Sequence, residues 1–236
     1  MDQNLKDKLM GVSVATLATA LYKRGLRNQV IQGVHPLGWK GRNMVGPAYT
    51  LRYIPAREDR NQLSEFRNPE HPQRVAVESC PEGHVLVMDS RTDARAASAG
   101  DILVTRLQMR GVAGVVSDGG FRDAAVIAEL EIPAYHSRPS SPTNLTHHEA
   151  YDLNVPIGCG DAPVFPGDII VGDADCVIVL PAHLAEELAD EAVEMTAYED
   201  FVVEKVKSGT PIIGLYPQTK EEFAPEFAEW RKAHNR

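Results

Sequence analysis

Three features of this sequence predict an α/β fold. Between residues 85 and 135, short all-apolar runs alternate with amphipathic stretches, the pattern of βαβ units. From Val155 onward, strand-sized apolar runs are broken by Gly/Pro turns. A long acidic segment from about Ala182 to Lys207, stopped by Ser208-Gly209, has the length of a helix and not of a strand. No linker or low-complexity tract divides the 236 residues, so one domain is expected over 1–236. It carries an N-terminal helical addition (about 5–24) and a polar C-terminal tail (about 219–236).

Taken in order, Leu5, Leu9, Val12, Leu17 and Leu21 approximate helical spacing, and Gly25 is a natural stop. Gly and Pro punctuate residues 33–55, where runs such as Ala48-Tyr49-Thr50-Leu51-Arg52-Tyr53 read as short strands. The charged segment 56–74 reads either as a solvated loop with a helical turn or as an active-site rim or subunit contact. Val85–Met88 is a buried strand, Gly100–Arg110 a helix opened by Gly-Asp, and Val112–Val116 a buried strand. Ser117-Asp118-Gly119-Gly120 is a turn, Asp123–Leu130 a helix and Ile132–Tyr135 a closing strand. Strands follow around Pro156–Gly160, Val164–Val171 and Cys176–Leu180. Pro81–Asp89 and Pro166–Asp173 echo each other, each a Pro/Gly turn feeding a buried strand that ends in Asp. In the tail, Phe223, Phe227 and Trp230 form the stripe of a short docking helix.

Composition narrows the function. The chain is 43% hydrophobic and 24% charged, with 33 acidic against 24 basic residues and a net charge of −9. Scattered lysines and arginines do not make the clustered basic surface that neutralises phosphates, and 6% aromatic residues offer little for base stacking, so nucleic acid is not an expected partner. No stretch approaches the ~18–20 consecutive apolar residues of a membrane-spanning helix, so no membrane partner is expected either. The N-terminal residues lack the layout of a signal peptide. Three widely spaced cysteines, Cys80, Cys159 and Cys176, without a C-x-x-C pair, read as reduced thiols of a cytoplasmic protein.

Nucleotide-binding glycine motifs and a G-x-S-x-G elbow are absent. Thr146-His147-His148-Glu149 has the spacing of a capping box at a helix start, and adjacent helical histidines diverge by about 100°, which disfavours a shared ion. The chemistry concentrates elsewhere. Gly100-Asp101-Ile102-Leu103 opens a helix whose unpaired N–H groups, notably those of Ile102 and Leu103, and positive dipole end suit a carboxylate. The following strand and turn bring Arg122 and Asp123 back to that tip. Arg122 adds a planar fork for a carboxylate or keto oxygen, and Asp101 and Asp123 add hard oxygen ligands for a divalent cation such as Mg²⁺. No lysine lies between Lys40 and Lys205, which disfavours a Schiff-base aldolase.

These residues carry a resemblance. The sequence resembles the RraA-like family, which holds the class II 4-hydroxy-4-methyl-2-oxoglutarate/4-carboxy-4-hydroxy-2-oxoadipate aldolases and the ribonuclease E regulators, and Asp101, Arg122 and Asp123 match the D-x20-R-D pattern of its aldolase branch. Arg110–Asp123 resembles its central signature and Val164–Pro181 its second, and the similarity covers roughly residues 8–215. The chain departs from the common aldolase pattern at Ala125 and Val126, where many relatives carry an acid, and in the charged segment 56–74. The resemblance implies a compact α/β/β/α sandwich of the swivelling β/β/α type, assembled as a homotrimer or a hexamer with active sites between subunits. It implies that Asp123 binds Mg²⁺ (or Mn²⁺) directly and Asp101 through water, while Gly100, Ile102, Leu103 and Arg122 hold the pyruvyl part of a small 2-oxo acid. It further implies a glutamate from a neighbouring subunit, for which Glu199 is the matching position among Glu191, Glu194, Glu199 and Glu204. The expected activity is that of a metal-dependent lyase, an aldolase or oxaloacetate decarboxylase. The alternatives are another lyase or hydrolase on the same site, or a non-enzymatic regulator of ribonuclease activity.

Overall fold

A computed structural model describes all 236 residues. Its main sheet runs, edge to edge, Val30–Ile31, Val177–Leu180, Ile169–Gly172, Met44–Pro55, Val85–Asp89, Gly114–Ser117, Ala134–His136 and His35–Pro36. Its centre is parallel, as βαβ crossovers demand, and its flanks are antiparallel. The 12-residue strand Met44–Pro55 is the pivot: residues 44–47 pair with Ile169–Gly172, 48–52 with Val85–Asp89, and 51–55 with His148–Leu153. What read as several short strands is thus chiefly one long one, because a strand pairing with three partners must outlast each of them.

Side-chain alternation then explains the layers. Leu86 and Met88 face one apolar core and Val85 and Val87 another. In the second half of the sheet, Ile170, Val177 and Val179 join Val85 and Val87, whereas Ile169, Val171, Ile178 and Leu180 face outward. The sheet therefore curls so that its two halves share an inner core, into which the hairpin Ile157–Cys159/Ala162–Val164 also packs. Helices cover both outer faces. On one lie α1 (Gln3–Met10), α2 (Val14–Lys23) and, later in the chain, Ala185–Lys207; on the other lie α3 (Pro72–Ser79), α4 (Asp101–Met109) and α5 (Ala124–Glu129). This is the α/β/β/α sandwich. The helix Ala185–Lys207 is α6, and α7 (Phe223–His234) docks on it through Phe201, Phe223, Phe227 and Trp230.

The single N-terminal helix expected over 5–24 is two. Gly11 ends α1, and Ser13, in extended conformation, accepts the Thr16 amide at 3.0 Å as a cap for α2. The capping box at Thr146–Glu149 is not formed either. Thr146 closes a 3-10 turn and hydrogen-bonds Thr143 O, and His148–Leu153 is a strand held to Met44–Pro55 by tertiary pairing. The echoing turns do match: Gly83 (φ +73°) and Gly167 (φ +89°) make the same left-handed step before their strands. No helix is long and apolar enough to cross a membrane.

Candidate active site

A small three-stranded parallel sheet, missed in the sequence, builds the site. It consists of Ala97–Ala99, Gly120–Phe121 and Arg138–Pro139, with Ala99 in register with Phe121. The first two strands each run into a helix, α4 after Gly100 and α5 after Asp123. Parallel strands ending level bring Gly100-Asp101 abreast of Arg122-Asp123, and the Arg122 amide donates to Ala99 O at 3.1 Å. The expected route was a strand Val112–Val116 with a turn leading straight back to the tip. Instead the strand spans Gly114–Ser117, and the extra pairing of Gly120–Phe121 fixes the approach.

The turn before that pairing is anchored from below. The buried Asp118 carboxylate accepts the amides of Ser90 at 2.6 Å, Thr92 at 2.9 Å and Gly160 at 3.1 Å. Burial nevertheless raises its pKa above the usual carboxylate range. Ser90, Ser98 and Ser117 add a buried hydroxyl cluster.

The Arg122 guanidinium and Asp123 carboxylate lie 3.2 Å apart, both side chains nearly half exposed. Asp123 adopts φ +55°, a left-handed conformation that Asp tolerates better than most residues and that is enriched at functional sites. Gly100 makes the closeness possible: its position is buried beneath the Arg122 and Asp123 side chains.

The helix tip differs in one respect from the expectation. The amides of Ile102 and Leu103 are not unpaired: Asp101 Oδ1 folds back on Ile102 N at 2.8 Å, and Leu103 N donates to Gly100 O at 3.1 Å. The Asp101 amide has no protein acceptor, and Asp101 keeps its second carboxylate oxygen uncommitted.

Gly100, Asp101, Ile102, Leu103 and Arg122 line one cleft of about 300 Å³. Besides Ala97 and Ala99 of the small sheet, its walls include Phe66, Gln73, Arg74, Thr143 and Asn144, which sequence reasoning did not single out. Of these, Phe66, Gln73 and Arg74 fall in the charged 56–74 segment, whose reading as a rim was the available signal. Nothing in the sequence pointed to Asn144.

Glu199 is not at this cleft within one chain. It lies on α6, over the other half of the sheet, where Thr16 Oγ1 donates to it at 2.9 Å and Tyr216 OH at 3.3 Å. Glu191 pairs with Lys23 and Arg24, Glu194 with Arg231, and Glu204 accepts Trp230 Nε1. Among the four glutamates, Glu199 is held only by neutral hydroxyls.

The fit to a divalent cation can be judged from the donor set. No group of three or more His, Cys, Asp and Glu side chains converges within the chain. Asp101 and Asp123 stand at the ends of adjacent strands, and a set of one or two carboxylates is no zinc cage but suits Mg²⁺, which keeps several waters.

A sequence-family model described as RraA-like, Aldolase/RraA, matches residues 14–179. A Halalkalibacterium halodurans protein named "Putative 4-hydroxy-4-methyl-2-oxoglutarate aldolase" is 35% identical over 127 residues, 54% of this chain and 60% of that protein. One of the same name from Ectopseudomonas mendocina is 30% identical over 159 residues, 66% of this chain and 90% of the relative. The chain spans less than two thirds of the first protein's length and about a third of that of a Legionella pneumophila relative. Among solved structures, Streptomyces coelicolor RraAS2, described as an unusual member of the RNase ES inhibitor RraA protein family, is 30% identical. Its TM-score is 0.74, with 85% of this chain and 96% of that one covered.

Proposed function

The chain belongs to the RraA-like family, and on that premise we propose that it is a divalent-metal-dependent lyase cleaving the C3–C4 bond of a small 2-oxo acid. The substrate is a 4-hydroxy-4-methyl-2-oxoglutarate-type acid, oxaloacetate, or both, and each route passes through the enolate of pyruvate. One observation supports the reading: two parallel strands ending level set Gly100-Asp101 abreast of Arg122-Asp123, with Asp101 and Arg122 lining one small cleft and the Asp123 carboxylate beside Arg122.

Asp123 would hold Mg²⁺ or Mn²⁺ directly and Asp101 through water, and the bound cation would supply Lewis-acid stabilisation of the enolate oxygen. The remaining work falls to side chains and backbone. Arg122 presents two parallel N–H donors to the carboxylate or keto oxygen of the pyruvyl end, fixing its plane and opposing the charge that builds on the enolate. The open amide of Asp101 adds a donor at the positive end of α4. The Ile102 amide joins it once Asp101 Oδ1 turns away from it.

In retro-aldol cleavage the C4 hydroxyl loses its proton toward the uncommitted oxygen of Asp101. The C4–O bond becomes a carbonyl, and the C3–C4 electron pair moves into the C2–C3 enolate. Protonation at C3 then gives pyruvate. Decarboxylation of oxaloacetate forms the same enolate with CO₂ as the leaving fragment. In a trimer or a hexamer, Glu199 of a neighbouring copy would add its carboxylate to those that hold the cation.

The likeness to a member of a ribonuclease-inhibitor family supports a second reading, a regulator without turnover. Incubation of the purified protein with oxaloacetate and MgCl₂, with and without EDTA, separates the two. EDTA-sensitive pyruvate release supports the lyase, whereas inactivity on oxaloacetate and on 4-hydroxy-4-methyl-2-oxoglutarate under saturating Mg²⁺ favours the regulator.

A further inference from the structure

The cleft carries a second cation that the mechanism above does not use. Glu78 on α3 and Arg106 on α4 form a two-pronged ion pair, with N–O distances of 2.9 and 3.0 Å. One helical turn back on each helix places Arg74 level with Ile102, and both residues line the cleft. Helix α4 packs against α3 on one side and α5 on the other. Arg74, from α3, and Arg122, from the turn before α5, therefore flank the α4 tip from opposite sides.

The state of Arg74 is unusual for an arginine. It has no carboxylate within 4.0 Å, its side chain makes no hydrogen bond, and its Nε is shielded from solvent without a partner. Its guanidinium lies 5.7 Å from the centre of the Phe66 ring, which steers the group without neutralising it. Neighbouring His71 is held neutral, its pKa lowered by burial and then by Arg74 itself. An independent group points the same way. Asn144, only 3% exposed, lines the cleft with its Nδ2 buried and unpartnered, while its Oδ1 accepts the Thr143 hydroxyl at 3.2 Å. Buried donors without acceptors are costly and therefore rare in folded proteins.

We propose that Arg74 and Asn144 form a second anion subsite, which takes the distal carboxylate of a 2-oxo diacid while Arg122 and the α4 tip hold its pyruvyl end. This rests on the lyase reading for which end is cleaved, and on the cleft alone for the diacid preference. Arg74 and Arg122 put one positive group at each end of the cleft, so that each carboxylate of a dianion can meet its own cation whereas a monoanion leaves one of them unpaired. The distal group served is the carboxylate on C4 of a 4-hydroxy-2-oxo diacid, which survives cleavage. The C4 carboxylate of oxaloacetate is instead lost as CO₂, and a cation clamped on it would hold its charge in place and oppose its departure.

Two measurements on the 236-residue chain with MgCl₂ test this. In steady-state kinetics, Arg74→Gln is expected to raise KM for 4-hydroxy-4-methyl-2-oxoglutarate about 10- to 100-fold, the range for losing hydrogen bonds to a charged group. Its kcat on either substrate should stay within about twofold, and its KM for oxaloacetate should rise clearly less than that for the 4-hydroxy acid. Arg74→Lys should recover part of the loss. In calorimetric titrations, which need no turnover, the wild type should bind 2-oxoglutarate at least about tenfold more tightly than 2-oxobutyrate, and Arg74→Gln should erase that preference. An unchanged KM in Arg74→Gln, equal losses on both substrates, or a wild type that binds the diacid and the monoacid alike would overturn the subsite. Inactivity of the wild type with a diacid preference intact would overturn only the lyase reading.

Discussion

A side-chain carbon placed on Gly100 would lie 2.7 Å from Arg122 Nε and 3.1 Å from Asp123 Oδ2. The two strand ends are pressed together at the point where Arg122 takes its position. Gly100 has φ −128°, an ordinary extended conformation, so space and not backbone freedom fixes glycine here.

Gly100→Ala should therefore keep the fold but push Arg122 aside, since the methyl meets side-chain atoms and not backbone. We expect a Tm within a few degrees of wild type and a KM for 2-oxo acid substrate raised about tenfold, as a misplaced positioning group costs. A variant with wild-type kinetics would show that the position of Arg122 at this contact is unimportant.

Asp123→Ala should abolish turnover and Mg²⁺-dependent activation together, because it removes the carboxylate assigned to direct contact with the cation. Arg122→Lys keeps the charge but loses the planar fork, so it should act mainly on KM. Activity titrations against Mg²⁺ check both. An Asp123→Ala enzyme still activated by Mg²⁺ would sink the metal assignment.

How far the site was legible follows from what each residue depends on. Asp101, Arg122 and Asp123 stand at strand-to-helix junctions, where short motifs and turn residues signal themselves, and the two junctions lie side by side. The three-residue strand Ala97–Ala99 that aligns them has no periodicity to read, because its pairing is wholly tertiary. The break at Gly11–Ser13 was missed because the apolar spacing runs through it, while the Ser13 cap acts locally. Arg74 and Asn144 lie far apart in the chain and share only the lining of the cleft. The curl of the sheet was legible through resemblance alone, since alternation says that a strand has two apolar faces but not that distant strands share one core.

Asp118 supports a stability prediction. Its two carboxylate oxygens accept three backbone N–H groups from two segments, the loop after Val85–Asp89 and the hairpin turn at Gly160. Asparagine offers one acceptor oxygen and would face an N–H with an NH₂. Asp118→Asn should therefore destabilise by about 2–3 kcal/mol, the cost of leaving a buried donor unpaired beside a lost charge-assisted bond. Urea denaturation measures this, and a loss below about 0.5 kcal/mol would mean that the turn holds without the carboxylate.

His136 sets an acid limit on the fold. The ring is buried against Phe121, 5.6 Å between centroids, and Nδ1 has no partner. Burial first, and the charge of His35 second, push its pKa from 6.5 down to about 4. The unfolded chain thus binds a proton at this residue below pH 6.5 while the folded chain refuses it until about pH 4, so protons favour unfolding across that window. The contribution is complete above pH 6.5 and lost as pH falls toward 4. It amounts to about 3 kcal/mol, as a shift of that size implies. His71 and His148 are depressed by burial in the same direction, whereas burial raises Asp118, so the slope of the whole protein mixes several groups. His136→Gln isolates one of them. The variant cannot take up the proton, and its unfolding free energy should fall less steeply than that of the wild type between pH 6.5 and 4, whatever its stability at neutral pH. Parallel pH profiles for the two proteins, measured by urea denaturation, would show that His136 is protonated in the folded state near its ordinary pKa.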